Sequence, residues 1–126
     1  MKETFVAIAI VLCISLFCIF ASSYTANTFT ETQIQLDACI KSVYSENWEK
    51  AEAELDSIRS SFNKHDAILR ILSNHRELDE IERGILKTAS AIELENKDRC
   101  INELVSIAGI MRQIKDLEKI TVANIL

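Results

Sequence analysis

Residues 48–72, WEKAEAELDSIRSSFNKHDAILRIL, decide the fold. Trp48, Ala51, Leu55, Ile58, Phe62, His65, Leu69 and Leu72 recur in alternating steps of three and four. With 3.6 residues per turn, that spacing lays all eight along one seam, the pattern of a helix packed against neighbours in a bundle. Glu49, Lys50, Glu52, Glu54, Asp56 and Arg59 cover the other sides, and Asn63 marks a point where the helix could break.

Working outward toward the N-terminus, Ser45-Glu46-Asn47 ends the preceding helix and offers a cap for this one. That preceding helix is expected from about residue 33 to Tyr44, with Phe29, Leu36, Ile40 and Val43 on one stripe. In the other direction Ser73-Asn74 interrupts the pattern, and Asn74 with Glu77 makes a capping box. A third helix follows with Leu78, Ile81, Ile85, Thr88 and Ile92 facing inward. Gly84 lies inside it and costs roughly 1 kcal/mol of helix propensity unless a close helix contact recovers it. Glu95-Asn96-Lys97-Asp98 is the next connection, and the last helix presents Ile101, Leu104, Ala108, Met111 and Ile114 or Leu117.

Ser45–Ile58 (SENWEKAEAELDSI) can be laid on Leu94–Ile107 (LENKDRCINELVSI) at an offset of 49. Two helical hairpins of similar length would give this echo, in the manner of tetratricopeptide-like units. It places Cys100 where Ala51 stands, at a tight helix crossing.

The compartment is written in the first residues. Phe5–Ala21 is apolar except for Ser15, and Ser22–Tyr24 extend the run. A helix over Phe5–Ala21 covers about 25 Å, close to the ~30 Å of a bilayer core. An uncleaved anchor over residues 1–24 is the favoured reading. Cleavage after Ser23 is the alternative, since Ala21 and Ser23 are small. A lipoprotein signal does not fit Cys13 or Cys18, because each follows bulky residues. Lys2 and the α-amine precede the span and the next basic residue is Lys41, so the N-terminus is expected inside and the rest of the chain outside. The apolar tail Ile120–Leu126 is too short to cross. Residues 25–32, polar and β-branched, read as a juxtamembrane stem, with a helix running straight out of the bilayer as the alternative. Residues 33–126 then form the outer bundle.

Proline is absent, glycine occurs twice, and aromatics make up 6% of the chain, which favours helix over sheet. The net charge of −5 argues against nucleic acid, because an acidic surface is repelled by phosphates. The partners expected are the lipid bilayer through residues 5–24 and an envelope protein or a second copy of the chain.

Candidate sites are few. Cys39 and Cys100 could close a disulfide outside the membrane. The bland alternative is two small buried residues, which the equivalence with Ala51 favours. His75, Asp79 and Glu82 share one helix face and are weak candidates for a metal site. Capping and ion pairing to Arg70, Arg76 or Arg83 is the simpler reading. His65 on the seam reads as a hydrogen-bonded core or boundary histidine, and Trp48 as a plug at the end of the bundle. No nucleophile elbow, phosphate loop or paired catalytic acids occur, so no enzyme and no cofactor are expected.

The N-terminal span, Asn47-Trp48-Glu49-Lys50-Ala51-Glu52, Asn74-His75-Arg76-Glu77-Leu78-Asp79-Glu80-Ile81-Glu82 and the ending Leu117–Leu126 together resemble a known family. It is the uncharacterised bacterial domain-of-unknown-function family 4363, made of short membrane-anchored helical proteins. Phe62 fits the family's aromatic in the second half of its helix, whereas Asn74 stands where relatives more often carry Asp. The resemblance implies architecture and location and carries no activity. The chain is therefore expected to be all-α, with one transmembrane helix and an antiparallel bundle of about four helices. Its expected work is a non-catalytic interaction or scaffold role on the outer face of a bacterial cytoplasmic membrane. The alternative is a secreted ligand- or metal-binding domain.

Overall fold

The computed structural model describes the backbone of residues 1–72 and 75–125, and the side chains of 1–71 and 75–117. Four helices make up this part: α1 (Lys2–Tyr44), α2 (Trp48–Leu72), α3 (His75–Glu93) and α4 (Lys97–Ile125). Each packs on the next and α4 closes on α1, so the helices run up, down, up and down around one core. The capping box at Asn74, the Leu72 side chain and the side chains of the apolar tail Ile120–Leu126 lie outside the described residues.

The α2 seam is buried as its spacing requires. Ala51, Leu55, Ile58, Phe62 and Leu69 are core, while Trp48 and His65 are partly covered, and no break occurs at Asn63. All five inward positions read for α3 are buried. On α4, Leu104, Met111 and Ile114 are buried and Leu117 is half exposed, which settles the choice between the last two. Cys100 and Ile107 join that core.

Residues 25–32 do not form a separate stem, because they lie inside α1, which is unbroken from Lys2 to Tyr44. Their threonines tolerate the helix by bonding to its own backbone. Thr28 Oγ1 donates to the Tyr24 carbonyl at 2.8 Å and Thr32 Oγ1 to the Thr28 carbonyl at 2.9 Å. Thr25, Thr28, Phe29 and Thr32 are buried, so the packed part of α1 begins near Ala21. From Phe5 to Phe20 the large apolar side chains point into open space instead. This is the one helix, among the described residues, long and apolar enough to cross a membrane.

The two outer connections are built alike, bond for bond. Glu46 N–H donates to the Val43 carbonyl and Asn47 N–H to the Ser42 carbonyl, the Schellman pair that ends a helix. Glu95 to Ile92 and Asn96 to Ala91 repeat both bonds 49 residues on. Asn47 Oδ1 then caps Lys50 N–H at 3.3 Å, and Asn96 Oδ1 caps Arg99 N–H at 3.2 Å. Glu46 and Glu95 both take the left-handed backbone, with φ of 57° and 51°. Cys100 and Ala51 are both fully buried at the crossing just inside each turn.

Gly84 has the close contact that its helix interior position demands. A Cβ there would stand 2.7 Å from Ile107 Cγ1, so glycine lets α3 and α4 approach.

Candidate functional site

The interfaces between the two hairpins differ although the hairpins match. Between α1 and α4, Ile40, Ile101 and Ala108 pack onto the core, and Lys97 Nζ lies 5.6 Å from the centre of the Tyr44 ring. The 49-residue offset maps Ile101 and Ala108 onto Glu52 and Arg59 of α2, and the exposed Val105 onto Asp56. Charged side chains that must keep their water cannot fill the same seam. The outer ends of α2 and α3 accordingly enclose an open groove of about 780 Å³.

Trp48, Leu55, Leu86, Ala89 and Ile92 provide the apolar lining of this groove. Glu49, Glu52 and Asp56 line it from α2, Glu93 from the end of α3 and Glu95 from the turn beyond, with Arg59 as the one cation among the lining residues. A smaller hollow of about 80 Å³, lined by Phe62, Glu82 and Ile85, continues it toward the inner end.

At that inner end Arg70 clasps the two helices. Its Nε bonds both oxygens of Asp66 at 3.0 and 2.9 Å, Nη1 meets Asp79 Oδ1 at 2.9 Å, and Nη2 meets Glu82 Oε2 at 3.3 Å. Donating these hydrogen bonds to the Asp66 and Asp79 carboxylates pushes the already high guanidinium pKa further up. Two of the three weak metal candidates, Asp79 and Glu82, are thus engaged by Arg70, and His75 is exposed at the start of α3. Among the described residues no three His, Cys, Asp or Glu side chains are grouped to hold a metal ion.

Cys39 and Cys100 are both free thiols and fully buried. Cys39 Sγ donates to the Ala51 carbonyl at 3.5 Å. Burial first, then the charges of Glu54 and Cys100, push the Cys39 thiol up to about 12, and burial raises Cys100 as well. Both are held protonated and unreactive at neutral pH. His65 Nδ1 is hydrogen-bonded to Tyr24 Oη, the rings meeting edge-on with centroids 5.5 Å apart, so it is a boundary histidine. Trp48 sits at the outer end, where it caps the core and flanks the groove.

A second polar spot lies between α1 and α2. Ser42 Oγ donates to Glu54 Oε1 at 2.7 Å beside a hollow of about 250 Å³ edged by Lys41 and Lys50. Ser42 falls on Ala91 at the offset, so the second hairpin lacks this bond.

Sequence reasoning missed the groove because Glu52, Asp56 and Arg59 look like an ordinary solvated face. The available signal was the repeat itself, in which apolar residues of one copy are charged in the other.

The family described as a domain of unknown function, DUF4363, matches residues 19–125. The chain belongs to the DUF4363 family. No curated protein and no solved structure matches it. For this DUF4363 member the geometry of its own surface must therefore carry the functional reading.

Proposed function

We propose that this protein is a non-catalytic interaction module, tethered by residues 5–24 and displayed on the outer side of a bacterial cytoplasmic membrane. The α2–α3 groove takes a cationic amphipathic helix from an envelope partner. One observation carries this reading: α1 fills the equivalent seam on α4, whereas here carboxylates surround an apolar lining. Ammonium and guanidinium groups of a partner would meet Glu49, Glu52, Asp56, Glu93 and Glu95 while its apolar face covers Leu86. A second copy of this acidic chain would meet repulsion instead.

The test is site-specific photocrosslinking of the full chain in its native membrane, with the probe at Leu86 or at its repeat counterpart Asp37. A partner adduct from position 86 alone, mapped to a net-positive amphipathic helix and lost in Glu52→Lys with Asp56→Lys, is the expected result. Equal adducts at both positions, or an acidic or non-helical attachment peptide, would overturn the reading. A mature N-terminus at Tyr24 would mark the secreted alternative.

A further inference from the structure

We infer that the inner end of the bundle is itself a lipid-contacting surface, seated in the outer headgroup layer beside the span. The inference rests on the anchor reading and adds a second membrane contact to it. Because α1 is continuous, no linker holds the bundle away from the bilayer. Burial on α1 begins at Ala21 and Thr25, in the last turns of the apolar run. Whatever packs there must stand at the membrane surface.

The register of the neighbouring helices says what does. Tyr44 and Trp48 flank the first turn, so α1 and α2 descend together from that level at about 1.5 Å per residue. Ile68 and Ile71 of α2 are then level with residues near Tyr24 and Ala21, a placement that agrees to within one helical turn with the Tyr24–His65 bond. These isoleucines are one helical turn apart, and Ile71 is 79% exposed and Ile68 43%. Two exposed isoleucines on one face cost free energy in water, and acyl chains would cover them.

On the other side Lys115 Nζ donates to Thr30 Oγ1 at 2.9 Å. From that point α4 runs down alongside α1 to Ile125, which brings its last turns level with about residues 20–25 of α1. After Lys119 the sequence Ile120–Leu126 carries no charged side chain. The charged stretch Lys115-Asp116-Leu117-Glu118-Lys119 followed by the uncharged Ile120–Leu126 is the order of a helix passing from water toward an interface.

The test uses the full chain in phosphatidylcholine vesicles whose acyl chains are brominated near the headgroup. Trp48→Phe removes the outer tryptophan, and Ile71→Trp or Phe17→Trp places one probe at the inner rim or in the span. Position 17 is expected to be strongly quenched, position 71 at least about half as much, and wild-type Trp48 not at all. Both substituted sites are exposed, and helical circular dichroism equal to wild type confirms folding. Quenching at position 17, with position 71 silent to bromine and open to aqueous iodide, would overturn this inference and leave the anchor standing. No quenching at position 17 would overturn both.

Discussion

The seam between α1 and α4 and the groove between α2 and α3 occupy equivalent places in a nearly two-fold bundle. One is closed by Ile40, Ile101 and Ala108, and the other is held open by Glu52, Asp56 and Arg59. The backbone geometry of the turns is the same in both hairpins, so the difference lies in side chains alone. Two changes in chemistry at matched positions, Ile101 against Glu52 and Ala108 against Arg59, replace packed apolar residues by charge. A duplicated frame can thus keep its stability in one half while the other half is free to recognise something.

The strongest way to break this comparison is to truncate the matched leucines. Leu104→Ala should cost about 4 kcal/mol, because its closed seam cannot collapse around the void. Leu55→Ala, beside the groove, should cost only about 2 kcal/mol, since water and Leu86 can fill the gap. Denaturant unfolding of the full chain in detergent measures both, and equal losses would mean that the two interfaces are energetically the same. Next in size is a transplant. Glu52→Ile with Arg59→Ala copies the α4 residues into α2 and should stabilise the fold by about 2 kcal/mol through added burial. It should also abolish the crosslink from position 86.

Gly84→Ala sharpens the comparison within the second hairpin. Its Cβ would stand 2.7 Å from Ile107 Cγ1. Overpacking of this kind costs about 2 kcal/mol, which the roughly 1 kcal/mol gained in helix propensity only half offsets. A net loss near 1 kcal/mol is expected in the same unfolding assay. The two turns should respond alike and in the opposite direction: Glu46→Gly and Glu95→Gly each relieve a left-handed residue and should add about 0.5 kcal/mol. Unequal gains would show that the turns are less equivalent than their bonds.

At neutral pH no effect is expected from the titration of Cys39, which acts only in alkali. Its folded pKa of about 12 lies above the ordinary thiol value of 9.0, so the unfolded chain loses its proton first. Stability should be indifferent to this group below pH 9 and fall as pH rises from 9 toward 12. In Cys39→Ala that part of the alkaline slope should vanish, which pH-dependent unfolding would record.

Much of this architecture could be read from residue order. The three-and-four spacing from Trp48 to Leu69 and the breaks at Ser45–Asn47 and Glu95–Asn96 predict two hairpins, and the offset of 49 predicts that they match. The continuity of α1 was not legible in the same way. Thr25, Thr28, Thr30 and Thr32 have poor helix propensity, and only packing and bonds to carbonyls four residues back hold them helical. Thr25 makes no such bond and is held by packing alone, its Oγ1 buried with no partner among the described residues. The groove was hidden for a different reason. Glu52 and Arg59 are unremarkable on an isolated helix and become informative only beside Ile101 and Ala108.

The unbroken α1 has a mechanical consequence. If α1 is anchored as proposed, with Tyr24 at the bilayer surface, Tyr44 and the mouth of the groove would stand about 30 Å along the helix from it. A helix without a hinge fixes that length along the stalk. A partner of the proposed kind would have to reach that far to engage, and any tilt of the stalk would swing the mouth sideways, as a mast moves with its hull.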